Sequence, residues 1–411
     1  MERVNRGGGL GVVVAMTKLI AAIALATALA QNAHEVTWTG SDIGGSGAEL
    51  LERELASTQF FLIGEDHGFA EIPKITTALL QRGWKHGYRH LGIEVGPVSL
   101  ARLASANGDV AAYNRRHPWA IPFLTWEEEA RLYAEARKLG GGKPDAVWGL
   151  DQEFVISPTS HFERLLELAQ TDSARTTAKA MLSRARGGDQ QMIETHSPRA
   201  VFLMSAKQGD FDALRAAFAG DKRAEVKQIL DALEETWSIY SKNFTGDIYG
   251  NNEQRVRLLK RTFAERYHAA VERGEKLPKV MLKFGASHMM RGRTVVNVFD
   301  LGTTLPELAA MNGTRAFQLL IIPGGGRVNA WRPFSPSEDA KSAPYVPKYA
   351  GVDLAPLTSV ANGWTLFDLR PLRADLSAGR IEPIDRGLEA MLWGYDAVLV
   401  IPSAMPAKNL D

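Results

Sequence analysis

A histidine with a glutamate two positions before it and glycines close on either side is a group that can move protons near neutral pH. The chain holds one such segment, Gly64-Glu65-Asp66-His67-Gly68, and it follows the apolar run Phe60-Phe61-Leu62-Ile63. Three more short apolar runs end the same way. Leu91-Gly92-Ile93 leads into Glu94, Ala146-Val147-Trp148-Gly149-Leu150 leads into Asp151, and Val280-Met281-Leu282-Lys283-Phe284 leads through Gly285-Ala286-Ser287 into His288. Paired carboxylates beside a histidine can orient it, raise its basicity or hold a water for attack. The same side chains could equally hold a divalent metal. Each also has a structural alternative: a helix cap for His67, His288 and Asp151, and an edge salt bridge for Glu94. Arg255, expected to open a helix after an Asn251-Asn252 turn, could reach a substrate carboxylate or oxyanion. Arg291 and Arg293, just past His288, have the same capacity, and all three could instead be solvated surface arginines.

These residues can act together only if the fold gathers them. Apolar runs followed by helical spacing predict buried parallel strands in an α/β fold. In open α/β sheets the carboxyl ends of the strands line the ligand cleft. Four strands of one sheet would bring Glu65, His67, Glu94, Asp151 and His288 to one place, with Glu65 and Glu94 on neighbouring strand ends. A helix carrying Ile72, Ile75, Leu79 and Leu80 on one face would follow the His67 loop, its N-terminus favouring an anion.

The texture changes after about Ser157. Val226, Ile229, Leu230, Leu233, Trp237 and Tyr240 form one helical stripe, and Val256, Leu259, Phe263, Tyr267 and Ala270 form another, both explained by core packing. Gly246–Asn252 is expected to be the turn between these two helices. Strand signals return at Lys279 and continue through Phe317–Ile322, Thr365–Leu369 and Ala397–Ile401. The predicted architecture is therefore a mostly parallel sheet flanked by helices with an inserted helical subdomain. Its parts are residues 31–155, the helical insertion 156–275, and 276–411. Residues from about Arg332 to Gly351, rich in proline, serine and lysine, suggest a long surface loop acting as a lid or substrate-contacting edge.

Composition narrows the function classes. Hydrophobic residues make up 45% and charged residues 23% of the chain, and the formal net charge is +1, which offers no electrostatic footprint for nucleic acid. Cysteine is absent, excluding disulfides, thiolate metal sites and a cysteine nucleophile. There is no G-x-S-x-G elbow, no phosphate-binding G-x-x-x-x-G-K-[ST] loop and no H-E-x-x-H helix. Gly324-Gly325-Gly326 follows a strand without dinucleotide-binding spacing. At the N-terminus, Met16-Thr17-Lys18, the apolar stretch Leu19–Leu29 and the small residues of Ala28-Leu29-Ala30 describe a secretory signal peptide at 1–30, cleaved near Ala30. Met1 and Met16 both stand as candidate starts. The expected location is periplasmic or secreted, with no stable membrane anchor after cleavage.

Gly64-Glu65-Asp66-His67-Gly68, a helix, and then Leu91-Gly92-Ile93-Glu94 resemble the erythromycin esterase superfamily, a broad group that includes haem-uptake lipoproteins and Tiki-type metalloproteases. Gly149-Leu150-Asp151, Ala286-Ser287-His288 and Val298-Phe299-Asp300-Leu301-Gly302 fall where that group has further site segments, and the similarity spans roughly Phe60 to Ile322. The resemblance implies hydrolysis by an activated water, with His67 or His288 as general base and Glu65 and Glu94 orienting it. The chain departs from the macrolide esterases by having only Asp66 between the first Glu and His. It also has Lys74 where they carry an arginine on the following helix, which makes Lys74 the corresponding substrate contact. The expectation is an exported hydrolase of an ester, lactone or amide acting on a small molecule, with no certain cofactor and a divalent metal left open. The alternative is a binder of haem or another cofactor, with Tyr88, Tyr113 or a histidine as axial ligand.

Overall fold

The computed structural model describes residues 22–332, 337–349, 351–381 and 385–410. Most of the expected signal peptide therefore lies outside the described residues. Residues 22–31 are helical, and Leu25 and Leu29 of that segment are fully buried. Among the described residues, no helix is long and apolar enough to cross a membrane.

Eight strands form one sheet: β1 (Ala33–Glu35), β2 (Phe60–Glu65), β3 (Tyr88–Ile93), β4 (Val147–Gly149), β5 (Lys279–Gly285), β6 (Ala316–Pro323), β7 (Thr365–Asp368) and β8 (Ala397–Ile401). Their order is β1-β7-β8-β6-β2-β5-β3-β4. The six from β8 to β4 run parallel, and β7 is antiparallel to both of its neighbours. The mostly parallel α/β fold expected from the apolar runs is what the chain adopts. All six residues of β2 are buried, as a parallel strand covered on both faces requires. Burial of each large apolar side chain contributes about 1.5–3 kcal/mol.

The helices that matter for the site are α1 (Gly45–Ser57), α2 (Glu71–Lys85), α3 (Pro97–Ser105), α4 (Val110–Arg116), α5 (Glu127–Leu139), α6 (Pro158–Leu168), α7 (Asp172–Thr195), α8 (Gln208–Ala217), α9 (Ala224–Phe244), α10 (Ile248–Glu272), α11 (Leu301–Met311) and α12 (Arg386–Gly394). One face of the sheet packs on α1, α2 and α5 through Leu51, Leu79, Leu91 and Leu132. The other packs on α10, α11 and α12 through Phe60, Leu282, Leu305 and Leu392. Helices α6 to α9 enclose a separate apolar cluster with Phe162, Phe202, Phe211 and Leu233.

Two local expectations are corrected, and one strand is added: β1, an edge strand with two exposed residues, carries no apolar run that would announce it. The stretch Gly246–Asn252 is not all turn. Asp247 accepts a hydrogen bond from the Gly250 N–H at 2.8 Å and caps α10, so Asn251 and Asn252 lie inside the helix. Glu65 and Glu94 do not end neighbouring strands, because the chain returns from the helical segment to insert β5 between β2 and β3.

Candidate active site

The parallel register sets which side chains meet. Glu65, the last residue of β2, lies opposite Gly285 of β5, while Glu94 follows directly after β3, the other neighbour of β5. Gly285 leaves the space between them open: a Cβ there would lie 3.2 Å from His67 Nε2 and 3.4 Å from Glu94 Oε2. The loop after β2 turns through Gly68, whose φ of +96° belongs to the left-handed region. Any side chain on Gly68 would strike the Asn329 carbonyl at 2.4 Å. This turn directs the His67 ring back over the strand ends, where Phe123 lies against it with ring centroids 4.3 Å apart.

Two histidine–acid pairs face one carboxylate. His67 Nδ1 is 2.8 Å from Glu65 Oε1, and His288 Nδ1 is 2.7 Å from Asp300 Oδ2. The far ring nitrogens of both point at Glu94: His67 Nε2 stands 3.5 Å from Oε2 and His288 Nε2 stands 3.5 Å from Oε1. Those separations exceed ordinary hydrogen bonds and are held by charge. Glu94 is fixed independently, accepting from Arg255 Nη2 at 2.7 Å and from the Gly285 N–H at 2.8 Å. Arg255 in turn grips Asp151 with two nitrogens, Nε to Oδ1 at 2.9 Å and Nη2 to Oδ2 at 2.5 Å, the fork geometry that a guanidinium makes with a carboxylate. Asp300 also caps α11, accepting from the Leu301 N–H at 2.6 Å.

The electrostatics follow from burial and neighbours. Burial pushes both imidazoles toward the neutral form, yet the facing acids outweigh it. Glu65 and Glu94 take His67 up to about 10, and Asp300 and Glu94, against Arg255, take His288 up to about 10. Burial raises the Glu94 carboxyl, but the two histidines hold it well below its ordinary value. The side chains keep contact with solvent, with 22% of His67 and 11% of His288 exposed, enough to meet a substrate.

Of the residues singled out in the sequence, Glu65, His67, Glu94, Asp151, Arg255 and His288 meet here. Arg255 is neither a surface residue nor free for a substrate, since Glu94 and Asp151 occupy its guanidinium. Arg291 does not join them. It pairs with Asp396 at 3.4 Å, and Asp396 precedes β8 at the opposite, amino end of the sheet. Lys74 lies near the start of α2, half-buried, and joins none of these contacts. Tyr88 and Tyr113, weighed as haem ligands, are buried and bonded to Thr58 and Ser160, so neither opens on the cleft.

Four residues were missed as site members. Lys283, in β5, and Glu129, in the first turn of α5, pair at 2.6 Å, and Lys283 also reaches Glu65 at 2.5 Å. The visible signal was a lysine in the middle of an apolar strand. Asp300 stood in the segment noted after His288, but its pairing needed the fold. Tyr349, from the loop expected to cover the site, donates or accepts at Ser287 Oγ at 3.0 Å and accepts from the Ser287 N–H at 2.8 Å. Beside the cluster lies a cavity of ≈ 20 Å³, room for about one water.

The Nδ1 of each ring serves an acid, which leaves Nε2 as the atom a metal could take, while Glu94 already holds Arg255 and a backbone N–H. Among the described residues, no three histidine or acidic side chains are grouped to hold a metal. The arrangement can do acid–base chemistry on a water or substrate placed between the two Nε2 atoms.

No protein-family model matches the sequence, and no curated protein matches it. Solved structures do resemble the fold. A Bacillus cereus protein shares 14% identity over 94% of this chain and 99% of its own, with a TM-score of 0.56. A succinoglycan biosynthesis protein shares 12% identity over 94% and 98%, with a TM-score of 0.58. An erythromycin esterase mutant in its open conformation shares 14% identity over 89% and 95%, with a TM-score of 0.57. At these identities the likeness concerns the fold, which is that of the erythromycin esterase structure.

Proposed function

We propose that the chain is a hydrolase that activates water with the His67/His288 pair to cleave an ester, lactone or amide in a small molecule. The observation that carries this is the convergence of two acid-backed imidazoles on Glu94. When one imidazole is neutral and the other charged, the site holds a base and an acid about one carboxylate apart. The neutral ring takes the proton of a water held near Glu94, which attacks the carbonyl. The imidazolium and its proton stabilise the oxyanion and then protonate the leaving group. Glu65 and Asp300 hold the two rings through Nδ1, while Asp151 and Arg255 hold Glu94 in place. No serine or cysteine is required as a nucleophile, so no covalent intermediate is proposed. The fold's likeness to an erythromycin esterase supports hydrolysis without naming a substrate.

Export with cleavage near Ala30 belongs to the same proposal, with the small-molecule substrate met in the periplasm or outside the cell. Mass measurement of the protein from the periplasmic fraction tests it: a chain beginning at Gln31 agrees, and a chain retaining Leu25 and Leu29 does not. Hydrolysis is tested with a panel of esters, lactones and amides, each run with wild type and His67→Ala before and after chelation. Turnover that survives chelation and disappears in the variant is the expected result. Equal rates for the two proteins would remove the reading.

A further inference from the structure

Among the buried charged groups that the proposed reaction does not use, Glu153 and His161 pair with each other, whereas Lys283 touches the site itself. Lys283 stands in the middle of β5, 5% exposed, between Glu65 at 2.5 Å and Glu129 at 2.6 Å. A lysine inside an apolar strand is costly unless it is fully paired, and both partners here are themselves buried acids. Glu129 enters from the first turn of α5, where the positive end of the helix favours a carboxylate. The oxygen of Glu65 that receives Lys283 is Oε1, the same atom that meets His67 Nδ1. The ammonium thus ties down the carboxylate that orients the ring. The cavity on this side has room for about one water at ≈ 20 Å³ and is lined by Lys283, Glu65, His67 and Glu94 together with Leu132 and Tyr133, so Lys283 borders the same space as these site groups.

Resting on the hydrolase reading, we propose that Lys283, clamped by Glu129, is a positioning residue. It locks Glu65 so that His67 keeps its Nε2 turned to Glu94, and it sets how readily that ring gives up its proton. The charged and titratable groups facing Lys283 are Glu65 from β2, Glu129 and Tyr133 from α5, and His67 from the loop. Glu129 supplies the clamp from a second element, so the device spans the sheet and the helix that covers it.

The test uses the full chain with Lys283→Met, and Lys283→Met/Glu129→Leu as a second variant, because replacing both partners by apolar groups avoids leaving a lone buried acid. His67 is one of nine histidines. Its imidazole resonance is assigned by its loss in His67→Ala and titrated by NMR, a readout that needs no substrate. Removing the nearest cation favours the imidazolium, so the His67 midpoint is expected to rise by about half a pH unit or more in Lys283→Met, with His288 little changed. On any ester that wild type turns over, kcat is expected to fall ~10-fold with KM within about twofold. An unmoved His67 midpoint in Lys283→Met overturns the proposal, as does an unchanged kcat in whichever variant folds; in the double variant the lost cation and the lost anion offset each other, so kcat is its readout. If wild type turns over nothing, the hydrolase reading fails, and the titration alone still decides whether Lys283 governs His67.

Discussion

The Nε2 atoms of His67 and His288 stand equally far, at 3.5 Å, from the two oxygens of the Glu94 carboxylate. The two rings arrive from different parts of the fold, one on a glycine-bounded loop after β2 and the other on the one-turn helix Ala286–Met289 after β5. In the proposed reaction their common target makes them a working pair, and the consequences of that pairing can be measured.

His67→Asn and His288→Asn should each lower kcat by ~10²–10⁴-fold, with native circular dichroism. Because the rings act as one unit, the double variant should lose little more than either single one. Strictly multiplicative losses would show that the two histidines act independently.

The pH dependence follows from the raised imidazoles. A general base must be neutral, and both rings are held up to about 10, so kcat/KM should climb through the alkaline range toward that value. The stability effect runs the opposite way. A folded histidine held above its unfolded value of about 6.5 stabilises the protein fully below that pH and loses the contribution as pH rises to about 10. Urea denaturation at pH 6.5, 8 and 10 should show this decline in wild type and a weaker one in His67→Ala. A decline of equal size in both proteins would remove His67 as its source.

Arg255→Gln should destabilise the protein by about 3–5 kcal/mol, because Asp151 and Glu94 then lose their buried cation. Arg255→Lys should recover only part, since an ammonium cannot span both oxygens of Asp151 as the guanidinium does. Melting temperatures check this, and a glutamine variant that melts with wild type would mean that the Arg255 contacts contribute nothing to stability.

Gly285→Ala offers a probe of the gap itself. The new methyl would sit 3.2 Å from His67 Nε2 and 3.4 Å from Glu94 Oε2, so the ring must give by a few tenths of an ångström. The Gly285 φ lies outside the left-handed region, and its N–H can still serve Glu94. The fold should therefore survive while kcat drops ~10-fold or more, in keeping with the cost of small misplacements. Full activity would show that the space between Nε2 and Glu94 is not where chemistry takes place.

Much of the site was legible in the chain because each strand announces itself. A run such as Phe60–Ile63, buried on both faces, has no need of polar residues until it leaves the sheet, so the first acid or histidine after it marks the cleft. The residues that this rule picks out, Glu65, His67, Glu94, Asp151 and His288, lie together in the fold. Arg255 was noticed for its chemistry, but its partners lie 104 and 161 positions away, and no local pattern records such a contact. Arg291 follows His288 in sequence, yet the chain leaves the cleft within three residues and carries that side chain to the amino end of the sheet.

What the sequence by itself determined is the α/β class, the apolar strands and the acids and histidines at their ends, because side-chain burial writes a period and a boundary into the chain. Strand order was decided only by tertiary structure. Placing β5 between β2 and β3 separates Glu65 from Glu94 and leaves a strand-wide space that His67 fills. It also carries Lys283 to Glu65 and Glu129, and it brings His288 to the far side of Glu94. Parallel strands can be joined in many orders by the same local patterns, and the packing of helices from distant segments selects among them.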